Sequence, residues 1–427
     1  RVLFRWRRPS QAAPRGAHAP VMVASAWDFW RSIGSPRHVC APMVDQSEAA
    51  FRVLTRSLGV QLAYTPMLHA RLMVEAPAYR AHTFDPEPDG VDRPLVAQLA
   101  GHDASVLLAA GRLVQSHVDA VDINFGCPQG IARKGRYGAF LLDEPELTVS
   151  LVRALAEGLD VPVTAKVRLL PSVDASVALC RRMQEAGASA LCVHGRTKEQ
   201  NKHRSGPADW AAIARIVEAL DIPVIANGGI ATADDVAECL ARTGAAAVMS
   251  SEALLENPAL FCANVDPDSG AYLDQPELAR RYLRVCRQLP PPTLGHVRSH
   301  LFKLLHAPLR HQPLLREDLL EATSLDDVEP VVERLAACSH HQPAFHTPRF
   351  DAAASWYWRH RTAAVSADGE LGETRGAGGA SSPESRSRAE LEAAALERRD
   401  RRRREKKRRR RQRGAASVAA APAVAVL

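Results

Sequence analysis

The chain of 427 residues has no apolar run approaching the roughly 20 residues that a membrane-spanning helix needs, so a soluble protein is expected. Its eight cysteines stand singly, at 40, 127, 180, 192, 239, 262, 286 and 338, with no C-x-x-C pair among them. That pattern argues against a zinc site or a disulfide framework and for a reducing compartment, and no metal is expected. Nor is there a G-x-G-x-x-G after the first predicted strand, where Ala41-Pro42-Met43-Val44 stands instead. A doubly wound dinucleotide fold wants that glycine turn. Residues 1–27 contain several Arg and no acid, as transit peptides do. They are also rich in Pro and Ala without a clear amphipathic period. Residues 1–36 are therefore expected to be a poorly ordered or spurious extension rather than an import signal, in a sequence that begins with Arg.

What is present is a regular alternation. Short apolar or β-branched runs occur at 38–41, 61–64, 95–99, 120–124, 163–167, 190–193, 224–226 and 246–249. Helical patterns fall between them, at 47–58, 104–117, 145–158, 173–186, 208–220 and 233–243. Eight strands alternating with helices predict a TIM (β/α)₈ barrel over 37–265. Asp45 or Ser47 is expected to cap the first of these helices, with Gly59 closing it, and Thr232 with Asp234 and Asp235 to open the last. Residues 277–338 read as helices without strands, a small all-α domain. Its second helix mixes Arg298, Lys303 and three His with an apolar stripe, which suits either an ordinary amphipathic surface or an RNA-contacting face. Residues 340–427 are low in complexity and expected to be a disordered, basic C-terminal tail, with Trp356, Tyr357 and Trp358 an unplaced exception. Positions 398–413 carry thirteen Lys or Arg against two acids, so of the total of +7 the rest of the chain holds −4. Attraction to polyanions is thus concentrated in the tail, which reads as a nuclear-localisation or RNA-attracting segment.

Active sites of such barrels lie at the C-terminal strand ends. Read in order, these hold Pro42-Met43-Val44, Gln98, Asn124 with Cys127, Lys166 with Arg168, His194 with Arg196, Asn227-Gly228-Gly229, and Ser251-Glu252. The last two loops occupy the usual barrel phosphate site, where backbone amides approach an anion. Lys166, at the end of a buried strand, must meet an anion, an electron-rich ring or a salt-bridge partner, because an unpaired buried ammonium is costly. Gln98 has the two-sided amide that suits a flat heterocycle or neighbouring backbone. Cys127 sits on a Gly-Cys-Pro corner that carries it off the strand. Core residue, nucleophile and proton donor all remain open for it, although no base lies nearby in sequence to activate a nucleophile.

The strings Asn124-Phe-Gly-Cys-Pro-Gln129, Lys166-Val-Arg168, Val193-His-Gly-Arg-Thr-Lys-Glu-Gln200 and Asn227-Gly-Gly229 resemble those of the tRNA-dihydrouridine synthases. The run from Gly126 to Leu141, with Asn257-Pro-Ala-Leu-Phe261, most resembles the eukaryotic branch acting on D-loop positions 16 and 17. The resemblance covers about residues 37–335. It implies an FMN-binding barrel and a helical tRNA-binding domain, with NADPH or NADH as reductant. By the same resemblance Cys127 would donate a proton. Pro42, Met43, Val44, Gln98, Lys166, His194, Asn227, Gly228, Gly229, Ser251 and Glu252 would hold FMN, and Asn124, Arg168 and Arg196 would orient the uracil. Arg133, Lys134 and Arg136 would meet the RNA backbone. Two positions depart from the family pattern: Ser250-Ser251-Glu252 stands where many members carry Gly-Arg, and Gly229 replaces an Asn.

A small-molecule FMN barrel oxidoreductase, of the dihydroorotate dehydrogenase kind, and a non-catalytic RNA-binding barrel are the alternatives. The helical domain and basic tail weigh against the first, and the intact Asn124, Cys127, Lys166 and His194 against the second. A monomer in the cytoplasm, the nucleus or both is expected.

Overall fold

The structure, a computed structural model, describes residues 25–84, 86, 90–201, 204–338 and 355–357. The chain divides after Asp368. The second unit, 369–427, lies outside the described residues, and with it the tail expected to be disordered and basic. So do residues 1–24.

Nine strands run parallel: β1 His38–Cys40, β2 Leu62–Tyr64, β3 Leu68–His69, β4 Leu95–Ala100, β5 Ala120–Phe125, β6 Val163–Arg168, β7 Ala190–His194, β8 Val224–Asn227 and β9 Ala247–Ser250. They are ordered β2-β1-β9-β8-β7-β6-β5-β4-β3, and a β2–β4 pairing closes eight of them into a TIM barrel, as the alternation predicted. The two-residue β3 is an addition that pairs along the end of β4. No helix among the described residues is long and apolar enough to cross a membrane.

Side chains at every second position share one face of a strand, and here that rule divides the barrel interior into two levels. The lower level is apolar: Val39, Leu62, Val96, Ala120, Ala190, Ile225 and Ala247 form one buried cluster. Two residues further along several of the same strands the character changes, to Gln98, Asp122 and Asn124, Thr164 and Lys166, and Asn227. The upper level is therefore mixed: Tyr64, Cys192 and Met249 stay in the apolar cluster, while β4, β5, β6 and β8 hold polar side chains toward their C-terminal ends.

The expectation of disorder over residues 1–36 fails for the described part, which begins at Ser25. Residues Ala26–Ser32 form a helix whose N-cap Ser25 accepts from Asp28 N. Phe29 and Trp30, 2% and 3% exposed, complete the lower apolar cluster, and Trp27 Nε1 donates to Asp221 O at 2.8 Å. Burying two large aromatics against the floor outweighs the helix's short length.

The capping expectation holds for Ala233–Thr243. Thr232 Oγ1 accepts from Asp235 N, and Asp235 Oδ2 accepts from Thr232 N at 2.8 Å. It fails for the helix Ala49–Arg56, whose N-cap is Glu48 without a side-chain cap bond. Ser47 Oγ instead accepts from Met43 N. Glu48 turns away to Tyr282 Oη at 2.8 Å and His300 Nε2 at 3.0 Å, partners contributed by the C-terminal helices.

Those helices are Gln275–Gln288, Leu294–Leu304, His306–Arg310, Pro313–Glu321 and Leu325–Cys338. The second of these ends at Leu304, and the chain restarts as a helix at His306, ahead of Pro308, a residue tolerated in a first turn but not in a helix interior. The cations of Leu294–Leu304 face inward. Arg298 Nη1 donates to Leu320 O and Ala322 O, Lys303 binds Gln46 and Ser299, and His300 is 2% exposed and stacked on Phe51 at 4.4 Å. These contacts attach the helix to its neighbours. Tyr357, 6% exposed, also docks: Ser355 Oγ, Trp356 N and Tyr357 N all donate to the Glu256 carboxylate. Trp358 lies outside the described residues.

Candidate active site

Strand register brings the predicted residues to one level. Asn124 lies beside Lys166, Arg168 beside His194, His194 beside Asn227, and Asn227 beside Met249. Cys127 follows β5 on a loop with two restraints. Its N–H and that of Gly126 both donate to Asn124 Oδ1, at 2.9 and 3.0 Å. Its carbonyl accepts from Ala139 N at 3.0 Å. That second restraint requires Gly138, which has φ +72° and where a Cβ would stand 2.5 Å from Cys127 O. Cys127 is half-buried beside Tyr137, Met67 and Phe140. No carboxylate or imidazole bonds its sulfur among the described hydrogen bonds, so the nucleophile reading gains no base.

Lys166 Nζ donates to Asn227 Oδ1 at 2.9 Å, and Asn227 Nδ2 donates to Met249 O at 2.9 Å. Among the described residues no carboxylate pairs with Lys166 within ion-pair distance. Burial, with the nearby Arg168 guanidinium, holds its ammonium below the usual lysine range. The salt-bridge alternative for Lys166 is therefore not what the structure contains. A cation held at the lumen mouth by a neutral amide is arranged to meet an electron-rich group.

Arg196 Nη1 lies 3.0 Å from His194 Nε2. A guanidinium only donates, so Nε2 accepts and Nδ1 carries the imidazole proton. Gly228, at φ +100°, lets the His194 ring lie against the loop: a Cβ there would be 2.8 Å from His194 Cδ2. Trp210 Nε1 donates to Gly228 O at 2.9 Å and backs Gly229. Ser251 precedes the one-turn helix Glu252–Glu256, and both Ser251 and Glu252 are half-buried at the end of β9. Pro42 and Met43 are half-buried after β1, while Val44 is 56% exposed.

Three residues have different partners from those expected. Gln98 is 1% exposed, with its amide shared between Asp122 and Asn124, one layer below the mouth. Arg168 donates to Gly126 O at 2.8 Å, Thr197 O at 2.8 Å and Gln200 O at 3.0 Å. It clamps the loops after β5 and β7 together, and burial beside Arg196 brings its guanidinium down to about 10. Arg196, 4% exposed, spends two further donors on Gly206 O at 3.1 and 2.9 Å. Arg168 and Arg196 take backbone carbonyls, and Gln98 takes the Asp122 carboxylate, because a buried donor must be satisfied where it sits. A cleft of about 390 Å³ opens beside the Arg168 clamp, lined by residues including Leu169, Pro171, Thr197, Gln200 and Asp209.

Asp122 is the residue that strand-end reading missed. It is fully buried and accepts from Gln98 Nε2 at 2.8 Å and Thr164 Oγ1 at 2.7 Å. Burial pushes its carboxyl up to about 6, against those two hydrogen bonds and the charge of Lys166. Its signal in the sequence is an acid inside Ala-Val-Asp-Ile-Asn-Phe, two residues before Asn124 and so on the same face.

Comparison with known proteins agrees with this arrangement. The family model described as dihydrouridine synthase (Dus) matches residues 39–338. A Rattus norvegicus protein described as tRNA-dihydrouridine(16/17) synthase (NAD(P)(+))-like is 44% identical over 310 residues, covering 72% of this chain and 69% of its own. A Schizosaccharomyces pombe tRNA-dihydrouridine(16/17) synthase (NAD(P)(+)) is 38% identical over 317 residues, 72% of this chain and 79% of its own. A Homo sapiens protein described as tRNA-dihydrouridine(20a/20b) synthase (NAD(P)+)-like is 38% identical over 226 residues, 52% of this chain and 70% of its own. With a family match that spans most of the sequence and the whole barrel from β1 onward, the chain belongs to the dihydrouridine synthase family.

Proposed function

We propose that this protein reduces the C5=C6 bond of uridine to dihydrouridine in tRNA, using NAD(P)H and bound FMN, with Cys127 delivering the proton to C5. The observation that carries the reading is the mouth of the barrel. There a thiol on a doubly restrained loop stands one strand from Lys166, which is held by Asn227 and by no carboxylate. The residues fit a flavin mononucleotide. Lys166 offers an electropositive edge, His194 a donor at Nδ1, and the β8 and β9 loops offer backbone at Gly228, Gly229, Ser251 and Glu252. FMN, when bound, supplies the hydride for C6.

The chain's own residues do the rest. Asn124 fixes the backbone that carries the thiol. Arg168 ties the Cys127 loop to residues 197–200, so the walls on both sides of the mouth are set before the base arrives. Burial around Tyr137 and Phe140 excludes water from one side of the sulfur. With no carboxylate or imidazole bonded to its sulfur among the described residues, the thiol suits an acid more than a nucleophile. The uridine must leave its stack to reach the mouth, at low cost in an unstacked loop.

Positions 16 and 17 are the proposed targets. Relatives named for those positions match over 310 and 317 residues, against 226 for the 20a/20b-named relative. The exposed Arg133 and Lys134 beside Cys127 suit phosphate contact, whereas Arg136 also pairs with Glu144 at 3.2 Å.

The test is purification, a flavin absorbance spectrum, and a dihydrouridine assay on unmodified tRNA. Bound flavin and dihydrouridine at 16 or 17 are expected from the wild type. C127A should lose at least about a hundredfold in kcat while keeping its flavin. No flavin in the wild type, or wild-type turnover by C127A, would refute the reading.

A further inference from the structure

The hydrogen bonds behind Cys127 form a row with a direction. At the loop end, the N–H groups of Gly126 and Cys127 can only donate, so Asn124 must turn Oδ1 to them. Its Nδ2 is then left for Gln98 Oε1, at 2.7 Å. Gln98 in turn has Nε2 to offer on its far side, and it meets Asp122 Oδ2 at 2.8 Å. The other Asp122 oxygen accepts from Thr164 Oγ1 at 2.7 Å. An ionised carboxylate is acceptor-only. The row is therefore fixed from both ends, by donors at the loop and by an acceptor at Asp122. Turning either amide over would set donor against donor or acceptor against acceptor. Asp122 and Gln98 are 0% and 1% exposed, so solvent does not compensate such a mismatch.

We propose that Asp122 is a positioning residue for the Cys127 loop: by accepting from Gln98 it orients both side-chain amides, and through Asn124 it holds the backbone that carries the thiol. This rests on the reading of Cys127 as the proton donor. Packing alone does not account for Asp122, because a fully buried carboxylate with no cation in ion-pair contact among the described residues costs stability that an apolar side chain would not. Its raised pKa reports that cost.

A structural role and a positioning role predict opposite pairings of stability with function. Asp122→Leu removes the acceptor and the buried charge together. Relief of the buried charge offsets the stranded Gln98 and Thr164 donors, so its melting temperature should stay close to that of the wild type and its flavin content unchanged. Its kcat on unmodified tRNA should fall at least about thirtyfold, with KM for tRNA within about twofold, because a small misplacement of a reacting group is felt in turnover. Asp122→Asn keeps an acceptor for Gln98 only if the Thr164 hydroxyl turns round to accept, so it should lose about three- to tenfold in kcat.

The second readout is the rate at which iodoacetamide alkylates Cys127 in the full-length protein, located by peptide mass spectrometry among the eight cysteines. It should shift by at least about threefold in Asp122→Leu and less in Asp122→Asn. Wild-type kcat and wild-type alkylation rates in the variants would overturn the proposal, as would losses of kcat that merely track losses of melting temperature. Should Asp122→Leu not fold, Asp122→Asn decides by the same two readouts. The alkylation arm needs no turnover. A wild type that failed to make dihydrouridine would refute the functional reading, and the thiol rates would still judge the positioning.

Discussion

At the scale of single residues, the site is governed by satisfaction of buried donors more than by charge pairing. Arg168 and Arg196 show this best. Both were legible as strand-end cations, but their acceptors, the carbonyls of Gly126, Thr197, Gln200 and Gly206, are backbone groups supplied by folded loops. A carbonyl leaves no trace in side-chain identity, so these contacts were not legible, and the uracil-orienting role expected of both residues came from the family resemblance. Lys166, His194 and Asn227 were legible because strand register, a period-two property, carries them to one level. Gly138 was passed over in a glycine-punctuated loop. Its left-handed backbone and the 2.5 Å approach to Cys127 O make it the least replaceable of those glycines. Gly138→Ala should cost about 2 kcal/mol or more in a urea titration, from the left-handed conformation and the clash together. It should also lower turnover more than Gly130→Ala, where an added Cβ meets nothing within 4 Å.

At the scale of elements, the barrel strands were legible as short apolar runs between helical patterns, and the helix Ala26–Ser32 was not. Its Trp27, Phe29 and Trp30 lie in a Pro- and Arg-rich neighbourhood, and only the barrel floor gives them a reason to be helical. The joint between barrel and C-terminal helices was equally hidden, since Glu48 lies more than two hundred residues from Tyr282 and His300. Burial by itself would raise Glu48, but the His300 imidazole and the bonds from His300 and Tyr282 bring it down to about 2. A carboxyl depressed from 4.5 in this way stabilises the fold fully above pH 4.5, and that contribution is lost as pH falls towards 2. Glu48→Gln should therefore be less stable than the wild type at neutral pH. The difference should shrink between pH 4.5 and pH 2, as followed by thermal melting across that window.

At the scale of the whole molecule, charge and chemistry are separated along the sequence. Residues 398–413 carry +11 while the rest of the chain carries −4. Deleting 388–427 should weaken tRNA binding at low salt and flatten its dependence on salt concentration, leaving flavin content unchanged. A filter-binding titration at several ionic strengths reads both, and an unaltered salt slope would free the tail for another role, such as nuclear entry. The barrel itself has a floor and one mouth, because Phe29 and Trp30 fill the lower lumen below Val39, Leu62 and Ile225. A vessel with a single doorway admits its visitors in turn. On the proposed function nicotinamide and uridine share that doorway, so initial-rate plots at several fixed NAD(P)H concentrations should give parallel lines, the pattern of alternating half-reactions.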